Sequence, residues 1–247
     1  MRSVFNPGSE RSLSAVPLLA KIVLVSALTV QVGWQAATPK PAALAAALGR
    51  PAALSSFRVT SLGEPIALSQ LLVLYLQAFD NQPGISIPFR DLDYEAVLAW
   101  LKAALELDPR GQYPLVMAAH LYAQVPDETK TRQMLEFVHQ EFLLDPDRRW
   151  RWLAHAAIVA KHRLHDMPLA LRYAEDITRH AGSAMGWARQ MRIFILQDMG
   201  EREAASVLLG GLLESGEVSD IGEIRFLTER LEELKAAEKS SVPSNFR

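Results

Sequence analysis

The chain has 247 residues, 49% of them apolar, and a formal net charge of −2. That length and apolar fraction suffice for a sizeable core, while the near-neutral balance gives no whole-chain pull towards nucleic acid or anionic lipid. Cysteine is absent, which excludes disulfides, thiolate-zinc sites and thiol nucleophiles together.

Residues 1–15 form a mostly polar N-terminal tail with Arg2 and Arg11. Residues 16–34 are then almost wholly apolar, with Lys21 near one end and Trp34 at the other. A helix of that length crosses most of a ~30 Å hydrocarbon layer. Pro17 falls in the first turn, where its missing amide donor is tolerated. Lys21 can snorkel to the headgroups, and Trp34 sits where an interfacial aromatic belongs. A cleaved signal needs small residues at the outer and inner positions of the cut. Cuts after Ala36 or Ala37 would put Trp34 or Gln35 at the outer one. An uncleaved transmembrane signal anchor is expected over a cleaved signal or a soluble helix. Arg2, Arg11 and Lys21 against Lys40 and Arg50 tilt the N-terminus towards the cytoplasm. The expected setting is a single-pass protein of a bacterial inner membrane, with its larger part in the periplasm.

An Ala/Pro-rich linker follows over residues 35–64. Pro41 and Gly49 bracket a short expected helix at 42–48, and Pro stiffens the segment as a spacer. Packing of this segment on the first helices is the other reading. From residue 65 helices dominate. The spacing of apolar residues predicts helices over 66–79, 93–107, 112–124, 128–143, 147–163, 168–179, 183–199 and 201–214. They are punctuated by Pro83-Gly84, Pro88, Pro126-Asp127 and Gly200. A charged amphipathic helix over 220–238 precedes a loose tail.

Within this region Tyr94, Val97, Leu101, Ala104 and Leu105 share one helical face, and the helix ends at Leu107-Asp108-Pro109. A second Leu144-Asp145-Pro146 follows about one repeat later. Trp152 with Ala156 and then Ala170, Trp187 with Gly200 and Ala205, and Leu115 with Ala119 and Tyr122 alternate large and small residues at helix crossings. On these residues the chain resembles the tetratricopeptide repeat (TPR) family. Val97 and Met134 depart from it, standing where the family prefers Ala. The resemblance covers residues 65–215 and implies an all-α fold: a TPR-like α-solenoid of about four helix pairs, capped by residues 216–247 and preceded by the single transmembrane helix. A generic α-solenoid of another family is the structural alternative.

The resemblance further implies a concave groove lined by the first helix of each pair. Tyr113, His120, Gln124, Trp150, Lys161 and Arg192 fall on or near that face, with Trp152 and Trp187 packed between pairs. Aromatic anchors with fixed donors suit peptide capture. The expected function is therefore a membrane-anchored interaction scaffold for a peptide or helix of a protein partner; the alternative is a structural accessory subunit of a membrane complex. No phosphate loop, nucleophile elbow or His-Glu-x-x-His motif occurs, so neither enzyme activity nor a cofactor is expected. His155, His162 and His165 have helical spacing, but their Lys161 and Arg163 neighbours would repel a metal ion. Nucleic acid is not an expected partner; lipid around the anchor is. The arginines from Arg148 to Arg192 make the middle basic, and residues 201–238 are acidic, which reads either as a docking surface or as solvated helix faces.

Overall fold

A computed structural model of the protein describes residues 16–38, 45–216 and 218–241. The expected polar tail at 1–15, residues 39–44, Glu217 and the last six residues lie outside the described residues, as do the side chains from 237 onwards. The all-α expectation holds. Helices make up nearly all regular structure, and the described strands are two-residue segments, Asn81–Gln82 and Ile85–Ser86. The chain divides into two compact units, one containing the first helix and the other the remaining helices.

Helix α1, Leu18–Ala37, has 20 residues, no buried side chain and one charge, Lys21. It begins after Pro17 and runs three residues past the expected end at Trp34. It stops where the Thr38 hydroxyl donates to the Trp34 carbonyl at 2.7 Å. Among the described residues it is the one unbroken helix long and apolar enough to cross a membrane.

The larger unit starts with a strap. Residues 45–50 are not helical, so the helix expected over 42–48 is absent from its described part, 45–48, where polar groups are taken by the domain; residues 42–44 lie outside the described residues. The Gln82 side-chain amide exchanges hydrogen bonds with the Ala46 backbone at 2.7 and 3.1 Å. Trp100 Nε1 donates to the Gly49 carbonyl at 2.8 Å, Arg50 pairs with Glu95 at 2.9 Å, and Leu48 is buried.

Helices α2 (Leu54–Thr60), α3 (Pro65–Ala78) and α4 (Tyr94–Leu107) follow. Rings of Phe57, Trp100 and Tyr75 join them, with centroids 6.0 and 5.0 Å apart. Next comes a composite helix, α5 at Tyr113–Val116, a π segment at Met117–Leu121 and a 3-10 turn at Tyr122–Gln124. Helices α6 (Glu128–Leu144), α7 (Pro146–His162), α8 (Met167–His180), α9 (Gly186–Asp198), α10 (Arg202–Glu214) and α11 (Ile221–Ser241) complete the unit. Each helix from α6 to α11 packs on the next.

Aspartates start the second helices. Asp93 accepts from the amides of Glu95 and Ala96, Asp127 from Lys130, and Asp166 from Leu169. Such caps each contribute about 1 kcal/mol by satisfying amides the helix cannot bond. The Leu-Asp-Pro stops differ in outcome. After Leu107 the chain makes a loop, whereas Pro146 is itself the first residue of α7, where a missing donor costs nothing.

The main core runs from Leu72 through Tyr122, Phe142, Leu153, Tyr173 and Ile177 to Ile195. Alanines at 0% exposure, Ala119, Ala156 and Ala170 among them, let backbones approach at these crossings. A smaller core of Ile193, Ala205, Leu209, Leu227 and Leu234 joins α9, α10 and α11.

Candidate functional site

Successive helix pairs are stitched at a regular interval. Gln77 donates to the Tyr113 hydroxyl, Trp152 Nε1 to Gln112, Arg132 to Asp166, Arg172 to Glu136, and Arg230 to Gln197. The partners stand 33 to 40 residues apart in every case. Arg132, with the Leu169 amide, holds the Asp166 carboxyl below its usual range.

The six residues expected on the groove have different fates. Tyr113 is 51% exposed and stands at the mouth of a cleft of about 450 Å³ between α3 and α5. Val73, Leu74 and Pro114 supply its apolar walls, and Ser69, Gln70, Gln77, Asp108 and Gln112 its polar groups. His120 lies in the π segment, exposed, with its ring stacked on His155 at 3.6 Å and edge-on to Trp152 at 5.9 Å. A π turn inserts one residue into the ladder, which swings His120 outward while Ala118 and Ala119 stay buried. Gln124 accepts at its side-chain and backbone oxygens from Arg163. Lys161 is ion-paired with Asp198.

Trp150 and Trp187 require correction. Trp150 is 5% exposed, packed with Trp187 at 5.6 Å and covered by Arg151. Trp187, expected between pairs, is 50% exposed. Trp152 is half-buried. Positions 150 and 152 point about 200° apart on a helix, so only one of them can face the core fully. The neighbouring Arg149 settles which: it is buried, pairs with buried Glu141 at 2.7 Å and donates to the Pro109 carbonyl at 2.9 Å.

Arg192 reaches a second cleft, about 460 Å³, lined by Thr178, Ile193, Val207, Leu208 and Leu212. Its Nε is buried without a hydrogen-bond partner. Burial, then the His120 charge, pushes the His155 imidazole below its usual range, opposed by a bond to the Ala119 backbone. His162 and His165 are exposed, and among the described residues no three acidic, His or Cys side chains gather to hold a metal.

Much of the basic middle is internally paired: Arg148 with Asp145, Arg172 with Glu136, and Arg179 with Asp176. The acidic C-terminal helix meets α9 through Glu223 to Gln190 at 2.5 Å and Arg230 to Gln197 at 3.0 Å. Two of the expected groove residues, Tyr113 and Arg192, thus stand at open clefts. Sequence reasoning found Tyr113 but missed its cleft, whose walls stand about 36 residues apart.

Comparison of the chain with family models, curated protein sequences and solved structures gives no match.

Proposed function

We propose that this protein is a membrane-anchored interaction scaffold built as a TPR-like α-solenoid. The pairs are α3/α4, α5/α6, α7/α8 and α9/α10, with α11 as the cap and α1 as a signal anchor in a bacterial inner membrane. On this reading the repeats face the periplasm, do no catalysis and need no cofactor. The observation that carries it is the recurrence of bonded partners 33 to 40 residues apart, which stacks first helices on first helices and second on second. The partner is a peptide or helix whose apolar side chain enters the cleft beside Tyr113. Val73 and Leu74 supply apolar area there, and Gln70, Gln77 and Gln112 fix direction.

The test uses the full chain in mild detergent, with a photo-crosslinking side chain at Tyr113 or, as a control, at exposed Gln140 on α6. One partner captured at 113, absent at 140 and lost with Gln70→Trp, which fills the cleft, is the expected result. Equal capture at both positions, or indifference to Gln70→Trp, removes the groove reading.

One observation favours the accessory-subunit reading as a second. The outer face of α3 is apolar and uncovered by the described residues, with Leu71 and Leu74 exposed. A stoichiometric membrane partner whose retention depends on Leu71 would select that reading.

A further inference from the structure

Helix α3 pairs a buried apolar face with an exposed one, and Gln70 and Gln77 mark the edge between them. Its fourteen residues carry no charge. Ser69, Leu72, Val73 and Leu76 face inward and are buried, while Ala67, Leu71, Leu74 and Ala78 form an exposed stripe on the opposite side. Those four recur at four- and three-residue steps, so they define one line along the helix. An uncharged apolar stripe opposite a buried face belongs against protein or lipid, and this one is left bare by the described residues.

The corner leading into α3 breaks two rules at one residue. Leu62 is 92% exposed and has φ of +50°, a conformation that branched apolar side chains rarely adopt. Val59 beside it is 76% exposed. The bend is fixed by the Glu64 amide donating to the Ser61 carbonyl at 2.8 Å and by Gly63 at φ +94°. From residue 54 to 78 the charged residues are Arg58 and Glu64. The two helices together are apolar enough for a membrane run, but they meet at 114°, and α3's inner side packs on α4. The bend is incompatible with one straight span, and a seat in the interfacial plane suits such a surface.

We propose that the outer stripe of α3 and the Val59–Leu62 corner rest in the interface of the bilayer that α1 crosses, with Arg58 at the phosphates. The proposal rests on the anchored reading above. The strap supplies the argument for lipid as the occupant. Ala46 is already bonded to Gln82, so about eight residues connect α1 to the docked domain, at most roughly 30 Å of extended chain. A short tether holds an apolar face at high effective concentration near the membrane surface.

The chain's lack of cysteine makes the test direct. Single cysteines at Leu62→Cys, Leu71→Cys, Val25→Cys and Gln140→Cys are labelled with an environment-sensitive dye. The full-length protein is then reconstituted into phosphatidylcholine–phosphatidylglycerol vesicles. Lipid-borne nitroxide should quench positions 62 and 71 far more than 140 and nearly as much as 25, with aqueous iodide showing the reverse order. If 62 and 71 behave like 140 while 25 remains in lipid, the anchor stands and this inference falls. A water-accessible 25 removes the anchor reading and the inference with it. Dyes at 62 and 71 shielded from both quenchers mean that protein covers the face, which overturns the proposal. Relief of that shielding on diluting the protein in lipid would name a second copy as the cover.

Discussion

Helices α6–α8 and α9–α11 are built to the same plan but held very differently. In the first set Met134, Phe142, Leu153, Tyr173 and Ile177 are at most 1% exposed. Buried charged groups among them are paired there, Arg149 with Glu141 at 2.7 Å and His139 with Asp176 at 2.8 Å, although Arg149 Nε and His139 Nδ1 stay without a hydrogen-bond partner. A buried ion pair of this kind adds little net stability, yet losing one partner is expensive, so it fixes how α6 and α7 meet. In the second set the separate core is small, five buried residues across three helices among the described residues. Helix α10 also carries adjacent Gly210 and Gly211, with nothing within 4 Å of where either side chain would begin. Each costs about 1 kcal/mol of helix stability relative to Ala. Helices α6–α8 pack between neighbours on both sides, whereas α11 packs on α10 alone among its sequence neighbours in the described residues.

The largest expected effect tests the tryptophans at the join between these regions. Trp150→Ala should cost about 3–5 kcal/mol, the range for a large buried aromatic. Trp187→Ala, losing an edge-on contact from a half-exposed position, should cost about 1 kcal/mol. Urea midpoints of the two variants at constant slope decide it. Equal costs would mean that the α7–α9 join shares its load evenly, and the contrast between the regions would blur there.

A smaller and more local effect is expected from Leu209→Ala. The side chain is fully buried in the minor core, so about 2–4 kcal/mol is lost at the site. Because that core is separate, the loss should appear as faster amide exchange in α10 and α11, with α6–α8 protection unchanged. Uniform loss of protection throughout would make the two regions one cooperative unit.

The helices from residue 65 onwards were readable from the sequence because their apolar residues keep a helical period and their ends carry Asp caps, Pro and Gly; α2, at Leu54–Thr60, lay inside the expected linker and was missed. The register of α7 was not readable. Arg149 and Glu141 read as surface charges in the pattern, and only their mutual pairing, eight residues apart across the Leu144-Asp145-Pro146 junction, makes burial tolerable. Without that pair in view, Trp150 and Trp152 are interchangeable candidates for the core. The π turn around His120 has no local signature; just past it the Tyr122 carbonyl accepts from Tyr94, 28 residues away, at 2.8 Å. Tyr113 could be picked out as an exposed aromatic on a first helix. Its cleft could not, since a cleft depends on what two distant helices fail to fill.

The smallest expected effect is pH-dependent and concerns the His120–His155 stack, which joins the composite helix to α7 on the central side. The folded state lowers the His155 imidazole below its ordinary value near 6.5, through burial and then the His120 charge. The unfolded chain therefore binds more protons around that value, and stability must fall as pH drops through it from above. Trp152 faces the same ring pair and does not titrate, so it contributes no opposing slope. Because His155 is only half-buried, the loss should stay below about 1 kcal/mol after solvent screening. Other groups titrate in the same range, so the useful quantity is the difference in urea midpoint between the native chain and His155→Phe. That difference should shift in favour of the variant between pH 7.5 and pH 5.5, by roughly the amount just given. A difference independent of pH would mean that the stack is a packing contact without a charge cost, and would leave the central region's advantage entirely to its apolar core.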